Sequence, residues 1–152
     1  GQIFRMSSAS IKKIISCNKK NLINMVLDIE QYPHFVPWCL EGKIYEKKDS
    51  KDFIEIKADL KVGKKFINET YSSLVLYSKK KDLITVTTIK GPLKYLKNEW
   101  KFKEINNKTQ LDFSIDFELQ NNFLNMIMKN YFNFGLNKIT DAFEQRAIKL
   151  FK

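Results

Sequence analysis

Few residues in this chain have the types or spacing for chemistry. His34 is the only histidine, and it stands between Pro33 and Pro37 with no partner nearby in sequence. It reads as a packing or surface residue, and paired with Cys39 it would still lack two ligands of a tetrahedral metal site. Cys17 and Cys39 have neither metal-type spacing nor a CxxC pattern and read as reduced thiols. There is no glycine-rich phosphate loop. Asp112, Asp116 and Glu118 share one parity of a strand, opposite its aromatics, which describes a solvated face better than an acid–base pair. Neither a catalytic residue nor a metal nor a catalytic cofactor is expected, and a proton-transfer cyclase pocket is the one enzymatic option left open. The densest cluster is basic: Lys94, Lys97, Lys101 and Lys103 interleave with Tyr95 and Trp100. Residues 94–103 read as a basic hairpin that meets anionic lipid headgroups or, alternatively, RNA.

The composition agrees with attraction to polyanions. Twenty-seven Lys and Arg against 17 Asp and Glu give a formal charge of +10. Such a surface draws anionic lipid or nucleic acid toward it, and DNA is not expected as a partner. At 152 residues with 43% hydrophobic content, residues 1–152 read as one domain with a real core. Apolar runs are too short for a transmembrane helix. The chain starts at Gly1, so removal of a preceding targeting segment is an expectation.

These residues need elements to hold them. Residues 121–152 carry no proline and read as one helix of roughly 45 Å at ~1.5 Å per residue. Leu124, Met128, Tyr131, Gly135, Ile139, Ala142, Arg146 and Leu150 follow at three- and four-residue steps and read as its buried face. Asn125 falls on the expected polar side. Before Leu136 the apolar arc widens to take in Phe123, Ile127, Phe132 and Phe134. That is more than a helix lying on a sheet requires, so something is expected to cover it. Upstream, residues 3–15 read as a strand and Asn18 as the cap of a short helix that ends before Pro33. Residues 32–38 enclose three aromatics and the histidine between prolines. From Gly42 the period becomes two: Ile54, Ile56, Ala58, Leu60 and Val62 alternate with charges, as do Leu111, Phe113, Ile115, Phe117 and Leu119. The expected fold is α+β, a curved antiparallel sheet of about six to seven strands wrapped around one long C-terminal helix.

Sheet curvature leaves a gap under the helix, and apolar side chains on both sides make it a natural pocket. Inward alternation assigns Ile56, Val86, Trp100, Phe113 and Phe117 to its wall, and the helix brings Ile127, Tyr131 and Phe134. Tyr71, Tyr131 and Trp100 are the candidate hydrogen-bond donors. The Tyr32–Trp38 stretch reads as a portal over one end of the pocket; on the competing reading Phe35 and Trp38 are a permanent core plug.

Several motifs resemble a known family. Asp28-Ile29-Glu30-Gln31-Tyr32-Pro33-His34-Phe35-Val36-Pro37-Trp38-Cys39 resembles the signature of the coenzyme Q-binding protein family. Gly91-Pro92-Leu93-Lys94-Tyr95-Leu96 with Trp100-Lys101-Phe102, then Asp112-Phe113, Asp116-Phe117-Glu118 and Ala142-Phe143-Glu144-Gln145-Arg146-Ala147, extend the likeness over nearly the whole chain. Leu93 and Leu74 depart from it, standing where an aromatic and a basic residue are usual. The resemblance implies a START-like, helix-grip (polyketide cyclase-like) fold with ubiquinone as bound ligand. It also implies a lipid chaperone or carrier role in cellular respiration, on the matrix face of the mitochondrial inner membrane. Respiratory-chain or quinone-biosynthesis proteins would be its partners. Bacterial relatives of the family include a toxin acting on ribosomal subunit association, which makes a ribosome-associated regulator the alternative.

Overall fold

The computed structural model describes residues 7–64 and 66–151; the side chains of residues 67 and 127–130, with Ile127 and Met128 among them, lie outside the described residues, as does the expected strand start at residues 3–6. In chain order the elements are β1 (Ser7–Ile15), α1 (Lys19–Leu27), a 3-10 helix (Ile29–His34), β2 (Cys39–Asp49), β3 (Phe53–Lys64), β4 (Ile67–Ser78), β5 (Leu83–Lys90), β6 (Leu93–Ile105), β7 (Lys108–Leu119) and α2 (Asn122–Phe151). The strands form a single seven-stranded sheet in the order β1-β7-β6-β5-β4-β3-β2, antiparallel at every pairing. This is the expected α+β helix-grip architecture.

Local chemistry explains the joints. Asn18 caps α1, its Oδ1 accepting from the Asn21 N–H at 2.8 Å. The β6–β7 hairpin turns on Asn106 and Asn107, both at positive φ, as a two-residue loop demands. Gly42 of β2 lies so close to the Ile29 carbonyl that a Cβ would clash with it, which lets the 3-10 helix sit tightly on the sheet edge. β6 runs without a break from Leu93, with a bulge between Leu93 and Tyr95. The expected basic hairpin over residues 94–103 is therefore one continuous strand.

One end of the concave face is filled. There Ile15, Leu22, Ile84, Leu111, Phe113 and Ala147 are buried around Phe143. Phe143 meets Tyr32, Phe35 and Trp100 edge-on, with ring centroids 5.2, 5.0 and 5.0 Å away, the geometry that aromatic quadrupoles favour. Lys13 of β1 points at α2, where its Nζ reaches Asp141 and, at 3.0 Å, Glu144.

The buried face of α2 differs from the expected one. It runs through Asn125, Leu136, Thr140, Phe143 and Ala147, while Leu124, Tyr131 and Leu150 are exposed. Hydropathy counting penalises Asn125 and Thr140, yet both satisfy their polar atoms locally. Thr140 Oγ1 donates to the Leu136 carbonyl at 3.1 Å. Asn125 accepts from the Leu119 N–H at 2.8 Å and donates to the Leu119 carbonyl at 2.7 Å, so its burial leaves nothing unpaired.

Candidate functional site

The register of the sheet sorts its inward-facing residues into rows. One row sets Ile84 beside Trp100 and Trp100 beside Phe113; the next sets Ile56 beside Val75, Val75 beside Val86 and Val86 beside Asn98. Beyond them come Ala58, Ser73, Thr88, Leu96 and Phe117, then Leu60 with Tyr71. Buried and half-buried positions alternate in the first three rows: Ile84, Trp100 and Phe113 are buried in the first, Ile56, Val75 and Asn98 in the second, and Ala58, Ser73 and Phe117 in the third. Val86, Thr88 and Leu96 are half-buried between them, and Leu60, Val62 and Tyr71 at the far end are half-buried although they face the concave side. Among the described residues, the far end of the concave face is a half-covered apolar groove. α2 meets the sheet at β1 and β7, with Phe132 of its first half against Phe117.

Of the expected lining, Ile56, Trp100 and Phe113 belong to the filled end. Val86, Tyr71 and Phe117 border the groove. Trp100 is not available as a donor, because its Nε1 already gives a 2.7 Å hydrogen bond to Asn98 Oδ1. Tyr71 meets no hydrogen-bond partner among the described residues; its hydroxyl pKa is raised by burial and by Glu69. Tyr131 and Phe134, expected to face the strand aromatics, are instead 64% and 63% exposed. Phe132 takes their place, its ring 5.0 Å from Phe117, and the Lys138 ammonium lies 5.1 Å above the Phe134 ring. The side chain of Ile127 lies outside the described residues. Sequence reasoning passed over Ser73 and Thr88, which face each other across β4 and β5 and give the groove hydroxyls; their parity with Val75 and Val86 was the available signal.

The stretch between the prolines divides. Tyr32 is buried, its hydroxyl donates to the Val26 carbonyl, and burial holds its pKa above the ordinary tyrosine value. Phe35 packs on Phe143 under the Arg146 guanidinium, 5.2 Å from its ring. Trp38 is different: it is 38% exposed, adopts φ 65° and sets its six-membered ring beside Gly135 of α2. His34 is exposed and Cys39 is buried, so they do not make a shared ligand pair. Among the described residues no three His, Cys, Asp or Glu side chains converge as a metal site.

The lysines lie elsewhere. Lys97, Lys101 and Lys103 occupy the convex face, where the register sets Lys101 opposite Asp112 and Lys97 opposite Asp116; Lys94 falls at the bulge. A cavity of about 410 Å3 opens on that face between Lys12, Glu99, Lys101 and Asp112. A second, of about 310 Å3, lies between α1 and the end of α2, beside Asp28, Phe35 and Arg146.

The sequence profile of the family described as "Polyketide cyclase / dehydrase and lipid transport" matches residues 23–144. The chain belongs to this family. Among its relatives in this polyketide cyclase and lipid-transport family is a protein named ribosome association toxin from Rickettsia prowazekii. The two are 32% identical over 150 residues, which is 97% of this chain and 100% of the toxin. The mitochondrial coenzyme Q-binding protein of Dictyostelium discoideum is 28% identical over 130 residues, 84% of this chain and 62% of that protein. In structure, an 18 kDa protein from Caulobacter crescentus superposes with a TM-score of 0.77 at 26% identity, covering 95% of this chain and 97% of its own. The resemblance read from the motifs therefore stands. The mitochondrial label belongs to the coenzyme Q-binding relatives, while the relative matched over its whole length is bacterial.

Proposed function

We propose that the protein binds ubiquinone or a similar isoprenoid lipid in the open groove and carries it, without catalysing a reaction on it. The reading is supported by the half-buried concave-face positions Val86, Thr88, Leu96, Leu60, Val62 and Tyr71, at the end of the sheet away from Phe143. A polyprenyl tail laid there gains about 2.5 kcal/mol for each 100 Å2 of apolar surface taken from water. A quinone head needs one or two donors to fix it, and Tyr71, Ser73 and Thr88 stand at the groove. The family description includes lipid transport, and relatives are named for coenzyme Q binding. Organic extraction of the purified protein and mass analysis test the reading. Lipid is expected with the wild type and absent from a folded Val86→Lys variant. A wild-type protein that carries no lipid and refuses added ubiquinone overturns it.

A ribosome-associated regulator is the second reading, favoured by the relative matched over its whole length and by the +10 charge. Salt-sensitive co-sedimentation with ribosomal subunits by a protein that holds no lipid would select it. A respiratory role, and the compartment where it is played, follow from the first reading alone.

A further inference from the structure

We infer that the open end of the molecule docks peripherally on an anionic lipid bilayer through a rim made by the β3–β4 tip, the β5–β6 turn and the first turns of α2. This rests on the reading that the groove holds a lipid, and it names the surface from which that lipid passes.

Topology brings the three segments together. In this antiparallel sheet the β3–β4, β5–β6 and β7–α2 connections all leave from the same end. Gln120 donates its backbone N–H to the Pro92 carbonyl at 2.9 Å. Gly91, at φ 134°, sits so close to β4 that a Cβ there would lie 2.8 Å from the Thr70 carbonyl. Thr70 of β4, the β5–β6 turn and the β7–α2 connection therefore form one continuous edge, and the β3–β4 hairpin projects beyond it to its tip at Phe66.

That edge is apolar where it faces water. Phe66 is 98%, Phe123 68% and Met126 69% exposed, and Ile89 and Leu124 are exposed at the same end. Single exposed apolar side chains are ordinary, but several joined along one edge mark an interaction site. The turns at the opposite end are Ser50-Lys51-Asp52, residues 79–82 and Asn106-Asn107, all polar.

Charge identifies the occupant. Segments 64–70, 89–95 and 118–126 contain Lys64, Lys65, Lys90 and Lys94 against Glu69 and Glu118. Aromatic and aliphatic tips flanked by lysines suit an interface in which apolar atoms enter the acyl boundary and ammonium groups meet phosphates. A second copy fits worse, since a symmetric contact would bring the same lysines face to face. No helix of the described residues is long and apolar enough to cross a membrane, so the contact is peripheral. On the convex face, expected from the sequence to meet the membrane, the register sets Asp112 and Asp116 opposite Lys101 and Lys97, so its charge is mixed.

Co-sedimentation with quinone-free phosphatidylglycerol–phosphatidylcholine vesicles tests the rim. Phe66→Ser with Phe123→Ser changes only exposed side chains and should weaken vesicle binding at least about tenfold, since each phenyl group buried is worth more than a kilocalorie. Lipid retained through purification should stay at the wild-type level in that variant. Lys97→Glu with Lys101→Glu, on the convex face, should change vesicle binding about twofold or less. Equal vesicle binding by wild type and the Phe66/Phe123 variant overturns the docking surface, and so does a larger loss from the convex-face pair. A wild type that retains lipid but ignores vesicles also overturns it while leaving the groove reading intact. A wild-type dimer dissolved by the Phe66/Phe123 substitutions, with no vesicle binding, assigns the rim to a second copy instead and overturns the bilayer.

Discussion

Asn125 is the test of how α2 is hung from the sheet. It is buried, and both halves of its amide are committed to one residue, Leu119, the last of β7. The side chain behaves as a one-residue extension of the ladder at the point where the chain leaves the sheet. Replacing it with Ala leaves a half-buried N–H and a half-buried C=O without their protein partners. Each loss costs about 1–2 kcal/mol, so Asn125→Ala should destabilise by about 2–4 kcal/mol. For a chain of this size that is a fall in Tm of roughly 5–15 °C. Asn125→Asp is sharper. Its carboxylate still accepts from the Leu119 N–H but sets a second oxygen against the Leu119 carbonyl. A proton on that oxygen restores a donor, so the folded form of the variant holds the proton more tightly than the unfolded one. Its stability should therefore be best below the ordinary carboxyl range and fall as pH rises through it. Urea unfolding followed by far-UV circular dichroism across pH reads both effects. An Ala variant within about 0.5 kcal/mol of wild type, or an Asp variant with the wild-type pH profile, would show that water rather than Asn125 satisfies Leu119 and refute the clamp.

Three further outcomes follow from the same geometry. Gly135→Ala should stabilise by about 0.5–1 kcal/mol, because a Cβ would lie 3.9 Å from the Trp38 ring, an ordinary contact, while the helix interior loses a glycine; thermal unfolding reads the sign. Burial lowers the Lys13 pKa, but hydrogen bonds and charge from Asp141 and Glu144 outweigh it, leaving the value above the ordinary 10.5. Its contribution is thus complete below that pH and lost as pH rises past the folded value. Lys13→Met should cost about 1–2 kcal/mol at neutral pH after solvent screening and converge with wild type in strong alkali. Burial raises both the Cys17 and the Cys39 thiol pKa, so alkylation at mildly alkaline pH should be slow in the native protein and rise on unfolding. Native rates equal to those of a free thiol would contradict the burial.

Period carried the fold a long way. Leu111, Phe113 and Phe117 alternate inward in β7 as their spacing predicts, and a proline-free stretch became α2. The azimuth of that helix was not legible. Its expected and observed faces are offset by one residue, about 100° around the helix, and the observed one contains the two polar residues that hydropathy counts against it. Thr140 bonds back to Leu136 within its own helix, but Asn125 can be buried only because Leu119 of β7 is in place to bond it, and that knowledge is tertiary. The surroundings of the convex lysines were not legible for a similar reason. Alternation shows that Lys97 and Lys101 face outward, but only the β6–β7 register sets Asp116 and Asp112 opposite them.

The portal question turns out to be one of single residues within residues 32–38. Tyr32 and Phe35 are spent on the filled end, stacked around Phe143, and removing either opens the core. Trp38 leaves that cluster. A bulky side chain at φ 65° sits in a backbone region that costs about 1–3 kcal/mol and persists only where neighbours impose it. Here the Trp38 carbonyl is held by the Gly63 N–H at 2.9 Å, and its ring reaches across to the one α2 position with no side chain. The strained residue therefore bridges the end of β3 and the middle of α2. A plug needs no strain, because packing alone keeps it in place. A residue that must shift for a lipid to pass gains from a resting conformation that is already costly, since the moved state then lies closer in energy. On the lipid-binding reading, Trp38→Ala should therefore slow quinone transfer between vesicles more than it lowers thermal stability; a strongly destabilised variant that transfers at the wild-type rate when folded would make the stretch a plug.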